Sequence, residues 1–252
     1  MDSDYKKKCL SIITAAYNEA DGIKTFYEGL TGNIAGLTND YDWEIVFVDD
    51  GSTDSTLNIL KELRRKDNRV KWLSLSRNFG HQAALTAGLE CAKGDAVIMM
   101  DCDLQHPASL IPDMINKWEN GFDIVLTTRE EKHDHGILKK ITSACFYRII
   151  NRMSKTKVSP SSADFRLMSR KAINALLKLG EYHRFIRGMV SWVGFKTCEL
   201  SYKPKTRYAG KSKYTFKKML NLAFDGITSF SVVPLRISAI LGVLIFFGAL
   251  AY

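Results

Sequence analysis

Two acidic clusters stand where apolar runs end. In VIMMDCDLQHP (residues 97–107) four apolar residues lead into Asp101 and Asp103, with Gln105 two positions further on. In EIVFVDDGSTD (44–54) a similar run leads into Asp49. Asp101 and Asp103 flank a single residue. If the chain bends out of its strand there, both carboxylates reach one cation and Gln105 adds a neutral oxygen. Hard oxygen ligands of this kind suit Mg²⁺ or Mn²⁺, and such an ion, partly hydrated, bridges a diphosphate. Asp-x-Asp is a common pattern by itself; its place after VIMM gives it weight. A carboxylate in the position of Asp49 can accept hydrogen bonds from a nucleobase or a ribose. In DDGSTDST (49–56) Gly51 reads as a turn residue, and Ser52, Thr53 or Asp54 as the cap of the next helix.

Two further stretches carry candidate chemistry. In YNEADGI (17–23), Glu19 either complements a helix dipole in the first turn or holds a ribose hydroxyl in the same crevice. TRYAGKSKY (206–214) joins Arg207, Lys211 and Lys213 to Gly210 and Ser212. It is either a solvated basic loop or a flexible clamp that folds over a diphosphate and offsets the charge of a leaving nucleoside diphosphate.

The elements that must position these residues follow from apolar patterning. Strand-like runs occupy 9–16, 43–49, 70–76, 96–101 and 123–128. They are continuous rather than alternating, as expected of strands covered on both faces. Helical spacing separates them, for example over Thr56–Lys66, with Leu57, Leu60 and Leu63 on one face, and over Gln82–Ala92. This alternation predicts an α/β fold with a mostly parallel sheet. Ligands of open α/β sheets bind beyond the carboxyl ends of the strands, so one crevice can hold both acid clusters. After residue 130 the pattern loosens into a polar loop (130–136), a basic helix (137–153) and a loop, short strand and helix (158–179). A strand and basic loop follow (196–214). Residues 216–230 carry Phe216, Met219, Leu220, Ala223, Phe224, Ile227 and Phe230 at helical spacing, with Lys217 and Lys218 off the stripe. That is either a core helix or, as the neighbouring apolar tail favours, a helix lying in a membrane interface. Ile237–Tyr252 has no charge; it reads as the start of a cut transmembrane helix rather than a buried tail.

Composition narrows the partners. The chain has 252 residues, 46% of them hydrophobic, and a net charge of +9. A basic chain suits nucleic acid, an anionic membrane or a phosphorylated substrate, but a nucleic-acid binder would leave the acids at strand ends unexplained. The five cysteines form no CxxC pair, which argues against a cysteine metal cluster or disulfide framework and for a reducing cytosol. The N-terminus has no signal-peptide pattern.

Taken in order, YNE, DDGSTD, DCDLQHP, ADFRLMSR and RYAGKSKY resemble family 2 glycosyltransferases of the GT-A fold. Within them the likeness is to the polyprenyl-phosphate glycosyltransferases, the group that includes dolichol-phosphate mannose synthases and bacterial enzymes acting on undecaprenyl phosphate. It runs from about residue 9 to 235; Ala15 stands where that group usually has proline. The resemblance implies that Tyr17, Glu19 and Asp49 hold the nucleoside, that Asp101, Asp103 and Gln105 bind Mg²⁺ or Mn²⁺ and the diphosphate, and that Arg207 and Lys213 close on the diphosphate. It implies that Arg129, with Lys139 or Lys140, meets the phosphate of the lipid acceptor. Asp164 would lie near the anomeric carbon; otherwise it is a turn residue paired with Arg166 or Arg170.

The implied organisation is a catalytic domain over 1–210, an interfacial region over 211–233 and the first part of a membrane helix over 234–252, on the cytoplasmic face of a bacterial membrane. The implied reaction is inverting transfer from a nucleotide sugar, UDP-glucose or a related UDP-hexose before GDP-mannose, to a polyprenyl phosphate. The resemblance admits a homo-oligomer. The competing readings are a processive or protein-directed glycosyltransferase and a membrane-tethered module that binds a nucleotide sugar without turnover.

Overall fold

The structure is a computed structural model and describes residues 7–130, 162–181, 184–203 and 233–252. The chain divides into two compact units. Met1–Glu131, Ser161–Gly180 and Val193–Lys211 form the first, and Lys132–Pro160, Glu181–Trp192 and Ser212–Tyr252 the second.

The first unit is built on one sheet. Its strands are β1 (Lys8–Ala16), β2 (Tyr41–Asp49), β3 (Val70–Ser74), β4 (Ala96–Met99), β5 (Ile124–Arg129), β6 (Ser162–Ser169) and β7 (Thr197–Tyr202), in the order β3-β2-β1-β4-β6-β5-β7. Helices α1 (Ile23–Ile34), α2 (Thr56–Lys66), α3 (His81–Cys91), α4 (Ile111–Glu119) and α5 (Arg170–Leu177) belong to the same unit. The pairings β1–β2, β2–β3, β1–β4 and β5–β7 are parallel. Strand β6 runs against both β4 and β5. The sheet is therefore mostly parallel, as the alternation of elements predicts, with one reversed strand that the sequence pattern does not announce.

Burial explains which runs read clearly. Strands β1, β2 and β4 lie inside the sheet, and Leu10, Ile12, Ile13, Ile45, Val46, Phe47, Val97 and Ile98 are all essentially inaccessible. Strands β3 and β7 close the two edges and are partly exposed, so the expectation of coverage on both faces, made for the run 70–76, fails at β3. Edge strands meet solvent, and their side chains need not be apolar. The expected stripe of α2 is real, with Leu60 and Leu63 buried and Leu57 half-buried. Gly88 in α3 brings that helix close to the sheet, since a Cβ there would lie 3.2 Å from Val48 and 3.4 Å from Ile13.

The sheet order reverses between β1 and β4. In doubly wound sheets this opens a crevice beyond the carboxyl ends of the strands. Because β6 is antiparallel, its beginning, with Asp164, reaches the same edge as the ends of β4, β5 and β7.

In the second unit the described elements are α6 (Ile186–Trp192) and α7 (Val233–Ala251). Along α7, Val243, Leu244, Ile245, Phe246 and Phe247 are consecutive and all more than half exposed. Successive helical residues point about 100° apart, so apolar groups surround this helix. Among the described residues no helix is long and apolar enough to cross a membrane. The residues expected to begin a transmembrane segment form a helix of 19 residues, Val233–Ala251, and no membrane span is shown. The expected basic helix (137–153), basic loop and interfacial stripe (216–230) lie outside the described residues.

Candidate active site

The ends of β1 and β2 are in register, Ala16 beside Asp49. The loops that follow are stitched together. The amide of Asn18 donates to Ser52 Oγ (2.9 Å), that of Thr53 to Asn18 Oδ1 (2.8 Å), that of Glu19 to Thr56 Oγ1 (2.9 Å), and that of Ala20 to Asp54 Oδ2 (3.2 Å). Asn18 adopts φ 53°, a left-handed conformation that asparagine tolerates. Ser52 and Asp54 therefore join two loops, and Asp54 Oδ1 also accepts from the Thr56 amide (2.9 Å) that opens α2, as a capping side chain would; Ser55, at the N-cap position itself, makes no side-chain cap bond. Burial would raise the Asp54 carboxyl, but hydrogen bonds from Thr56 outweigh it and the group lies below the ordinary range. Gly51 has φ 69°, and a Cβ there would lie 2.5 Å from the carbonyl carbon of Arg77. Only glycine combines that dihedral with that approach.

Asp49 is 1% exposed. Its Oδ1 accepts from the Ser52 amide (3.1 Å) and its Oδ2 from Ser74 Oγ (2.9 Å). Asp50 next to it accepts from the amides of Phe79 (2.7 Å) and Gly80 (3.0 Å), just before α3. Burial raises the Asp50 carboxyl above its ordinary value. The structure thus places Asp49 at the end of β2, nearly inaccessible and with both oxygens accepting hydrogen bonds from the protein, and half-buried Tyr17 and Glu19 lie in the loop just after β1.

The Asp-x-Asp turn begins where β4 stops, at Met99. Cys102 turns inward, is 4% exposed, and lies with Sγ 3.4 Å from the Ala15 carbonyl. Burial pushes its thiol far above the usual range, so it is a packing group and not a ligand. Asp101 and Asp103 on either side are half-buried. Leu104 takes φ 64°, rare for a branched aliphatic residue, and turns the chain so that the Gln105 amide donates to Asp103 Oδ1 (3.1 Å).

Continuing the register of β4 with β6, where Met99 faces Arg166, brings Asp164 level with Asp101. His81, the first residue of α3, stands by both: its Nε2 is 3.4 Å from Asp101 Oδ1 and 3.7 Å from Asp164 Oδ2. Asp164 also accepts from Arg166 Nη2 at 3.1 Å, and the guanidinium of Arg166 is fully buried. Asp164 is thus a strand residue in an ion pair with Arg166, while Arg170 donates to the carbonyls of Ala92 and Gly94.

Asp101 Oδ1 is buried and makes no hydrogen bond among the described residues. A buried carboxylate oxygen left without one is costly unless something else satisfies it. Together with Asp103 it fits a divalent cation whose other ligands come from a diphosphate or water. Among the described residues no three His, Cys, Asp or Glu side chains form a metal cage by themselves. An ion of the Mg²⁺ type is held by one or two carboxylates plus phosphate oxygens.

Arg129 ends β5 in register with Tyr202, the last residue of β7. Its Nε donates to the Tyr202 hydroxyl (3.0 Å), and its Nη2 lies 3.2 Å from His106 Nε2. Burial raises the Tyr202 pKa, so the phenol stays neutral. The His106 ring stacks on Phe165 (centroids 5.2 Å apart) and meets Tyr202 edge-on (6.0 Å). Its Nδ1 accepts from the Asp101 amide at 3.0 Å.

The structure therefore brings Asp101, Asp103, Asp164 and Arg129 to one edge of the sheet, with Asp49, Tyr17 and Glu19 at the ends of the adjoining β1 and β2. Lys139, Lys140, Arg207 and Lys213 lie outside the described residues. Sequence reading passed over His81, His106 and Tyr202, and named Arg166 only as a pairing partner of Asp164, a pair the structure contains. A signal existed for His106, which lies inside the DCDLQHP motif.

A mixed, mostly parallel sheet with carboxylates grouped beyond the carboxyl ends of its strands is the arrangement of the GT-A fold. A model of the glycosyl transferase family 2 matches residues 11–177, and the chain belongs to that family. An uncharacterized glycosyltransferase of Synechocystis sp., sll0501, is 40% identical over 96% of this chain and 76% of its own length. The bactoprenol glucosyl transferase of Shigella phage SfV is 42% identical over 94% of this chain and 76% of its own length. Among solved structures, TarS of S. aureus in complex with UDP-GlcNAc superimposes with a TM-score of 0.54 at 22% identity, over 86% of this chain and 66% of that one. Glucosyl-3-phosphoglycerate synthase from Mycobacterium tuberculosis, in complex with Mn²⁺ and UDP-glucose, gives 0.52 at 17% identity, over 86% and 76%. These superpositions establish the GT-A fold, and the chain is a glycosyltransferase.

Proposed function

We propose that the chain transfers a hexose, with UDP-glucose the favoured donor, to a polyprenyl phosphate such as undecaprenyl phosphate, with inversion at the anomeric carbon. The observation that carries this reading is the position of Arg129. A half-buried guanidinium ends β5 one side chain away from the carboxylate of Asp101, so an anion site adjoins a cation site. A forked guanidinium is the group best suited to a phosphate. Relatives at 41–42% identity named bactoprenol glucosyl transferases support the same acceptor class and sugar.

In this reading Tyr17, Glu19 and Asp49 orient the nucleoside, and Asp101, Asp103 and Gln105 would hold Mg²⁺ or Mn²⁺. The ion would supply charge neutralisation for the leaving diphosphate, and Arg207 and Lys213 would close over it. Arg129, aided by Lys139 or Lys140, holds the acceptor phosphate. That monoester is largely ionised near neutral pH, with a second pKa of about 6, so it needs no general base. Asp164 then orients the acceptor or stabilises positive charge at the anomeric carbon instead of accepting a proton.

The catalytic region of residues 1–210 would sit on the cytoplasmic face of a membrane, held by the stripe of 211–233 and by the apolar surface of α7. Exposed Leu244, Ile245, Phe246 and Phe247 favour lipid over water. The test is to incubate the chain with undecaprenyl phosphate and a panel of nucleotide sugars, and to identify the lipid product by mass spectrometry. Glucosylated lipid from UDP-glucose is expected. Turnover of the sugar nucleotide without lipid product, for every donor tried, would refute the acceptor.

A further inference from the structure

The reading above leaves one buried polar side chain of the site without a task. His106 has no exposed side-chain surface and touches both halves of the proposed site. Its Nδ1 accepts from the main-chain amide of Asp101, so that nitrogen carries a lone pair and the ring is neutral. The proton of a neutral ring is then on Nε2. That N–H stands 3.7 Å from Asp101 Oδ2 and 3.2 Å from Arg129 Nη2. The opposite tautomer would set two N–H groups against each other at the amide of Asp101, which cannot turn away. Arginine only donates, so in this tautomer the Nε2 proton opposes a proton of Arg129 Nη2 across 3.2 Å, and the contact repels instead of bonding.

Asp101 and Arg129 carry opposite charges, both approach this one ring, and they form no ion pair. Their direct pairing would satisfy the orphaned carboxylate and occupy the guanidinium. It would also close the cation site and the anion site at once.

We infer that His106 is a neutral spacer that keeps Arg129 from collapsing onto Asp101, so that the carboxylate stays available to a divalent cation and the guanidinium to a phosphate. Packing makes it rigid, with Phe165 on one ring face and Tyr202 at the edge. The Tyr202 hydroxyl, by accepting from Arg129 Nε, holds the guanidinium from its other end. His106 is a positioning residue: it acts through Asp101 and Arg129 and needs no contact with the sugar. The inference rests on the proposed assignment of Asp101 to the cation and Arg129 to the acceptor.

The test uses the full chain and Mn²⁺ with UDP, with metal binding read by electron paramagnetic resonance apart from turnover. In His106→Asn the amide oxygen can still accept from the Asp101 amide, but nothing reaches the place of Nε2. His106→Gln reaches that place. His106→Asn is expected to weaken Mn²⁺ binding about tenfold, as loss of a residue behind a metal ligand typically does. It should also raise the KM for a short-chain isoprenyl phosphate. Adding Arg129→Gln to His106→Asn should return Mn²⁺ affinity to within about twofold of the starting protein, because the competing cation is gone. A residue needed only for folding would not be rescued in this way. His106→Gln should bind Mn²⁺ normally. The inference is overturned if His106→Asn binds Mn²⁺ as the starting protein does, or if Arg129→Gln fails to restore binding. If the starting protein itself binds no Mn²⁺ with UDP, it is the cation assignment that fails.

Discussion

Replacing Tyr202 by phenylalanine removes one oxygen atom from the site and little else. Tyr202 is 5% exposed, and its ring meets His106 and Phe165 edge-on at 6.0 and 6.1 Å. Phenylalanine keeps those contacts. What disappears is the acceptor for Arg129 Nε, 3.0 Å away. A hydrogen bond to a charged group contributes about 1.5–3 kcal/mol, and each 1.4 kcal/mol is a factor of ten. If half or more of that energy orients Arg129 for the phosphate, kcat/KM for the acceptor should fall by about 3- to 140-fold. The KM for the nucleotide sugar should stay within about twofold, since the Asp101 turn keeps its anchor at His106. Thermal stability should drop by only about 2–4 °C, the equivalent of about 1 kcal/mol in a chain of this size. The assay is initial rates with a short-chain isoprenyl phosphate varied at saturating UDP-glucose, and then the reverse. A rise in the nucleotide-sugar KM with an unchanged acceptor KM would show that the Tyr202–Arg129 pair serves the donor, and the reasoning would fail.

Other outcomes follow from the same geometry. Chelation of divalent metal should abolish turnover, and Asp103→Ala should lower it at least about 100-fold with the melting temperature nearly unchanged; full turnover after verified metal removal would exclude the cation. Asp67, which accepts from Arg69 and Tyr27, is held at about 2 by Arg69 against the opposing effect of burial. Its pKa is depressed on folding, so its stabilisation is present above about pH 4 and lost as pH falls through about 2. Asp67→Asn should therefore cost about 1 kcal/mol at pH 7, allowing for solvent screening of partly exposed Arg69, and almost nothing at pH 2, as denaturant titrations at the two pH values would show. For the membrane, a chain ending near Ser231 should bind anionic vesicles more weakly as salt rises, because each basic side chain contributes about 1 kcal/mol that salt screens. The full chain should stay bound at high salt through the apolar surface of α7, and equal release of both would remove α7 as an anchor.

The parts of the site that were legible in the sequence are those where local chemistry is abrupt. Asp49, Asp101 and Asp103 follow uninterrupted apolar runs, and strands buried on both faces produce such runs. The alternation Cys102-in, Asp101- and Asp103-out is a local consequence of the same turn. Contacts set by register were not legible. Tyr202 lies 73 residues from Arg129 and meets it only because β5 and β7 pair. Asp164 reads as a turn residue in one dimension; it becomes a neighbour of Asp101 through the antiparallel pairing of β6 with β4, which strand–helix alternation cannot signal. His81 looks like the polar start of an ordinary helix until the crevice places it between two carboxylates. Ser52 and Asp54 have cap-forming side chains, and Asp54 does accept from the first amide of α2; it took the loop after β1, brought alongside by β2, to give Ser52 a different partner and Asp54 a second one.

The central claim is that one hexose passes directly from a nucleotide sugar to a polyprenyl phosphate, with inversion, at the crevice holding Asp101 and Arg129. Nuclear magnetic resonance of the lipid product made by the full chain from UDP-α-glucose tests this most directly. The account predicts a β-linked glucosyl phosphate on the lipid, formed one for one with UDP. An α-linked product, or UDP released with only free glucose, would contradict it.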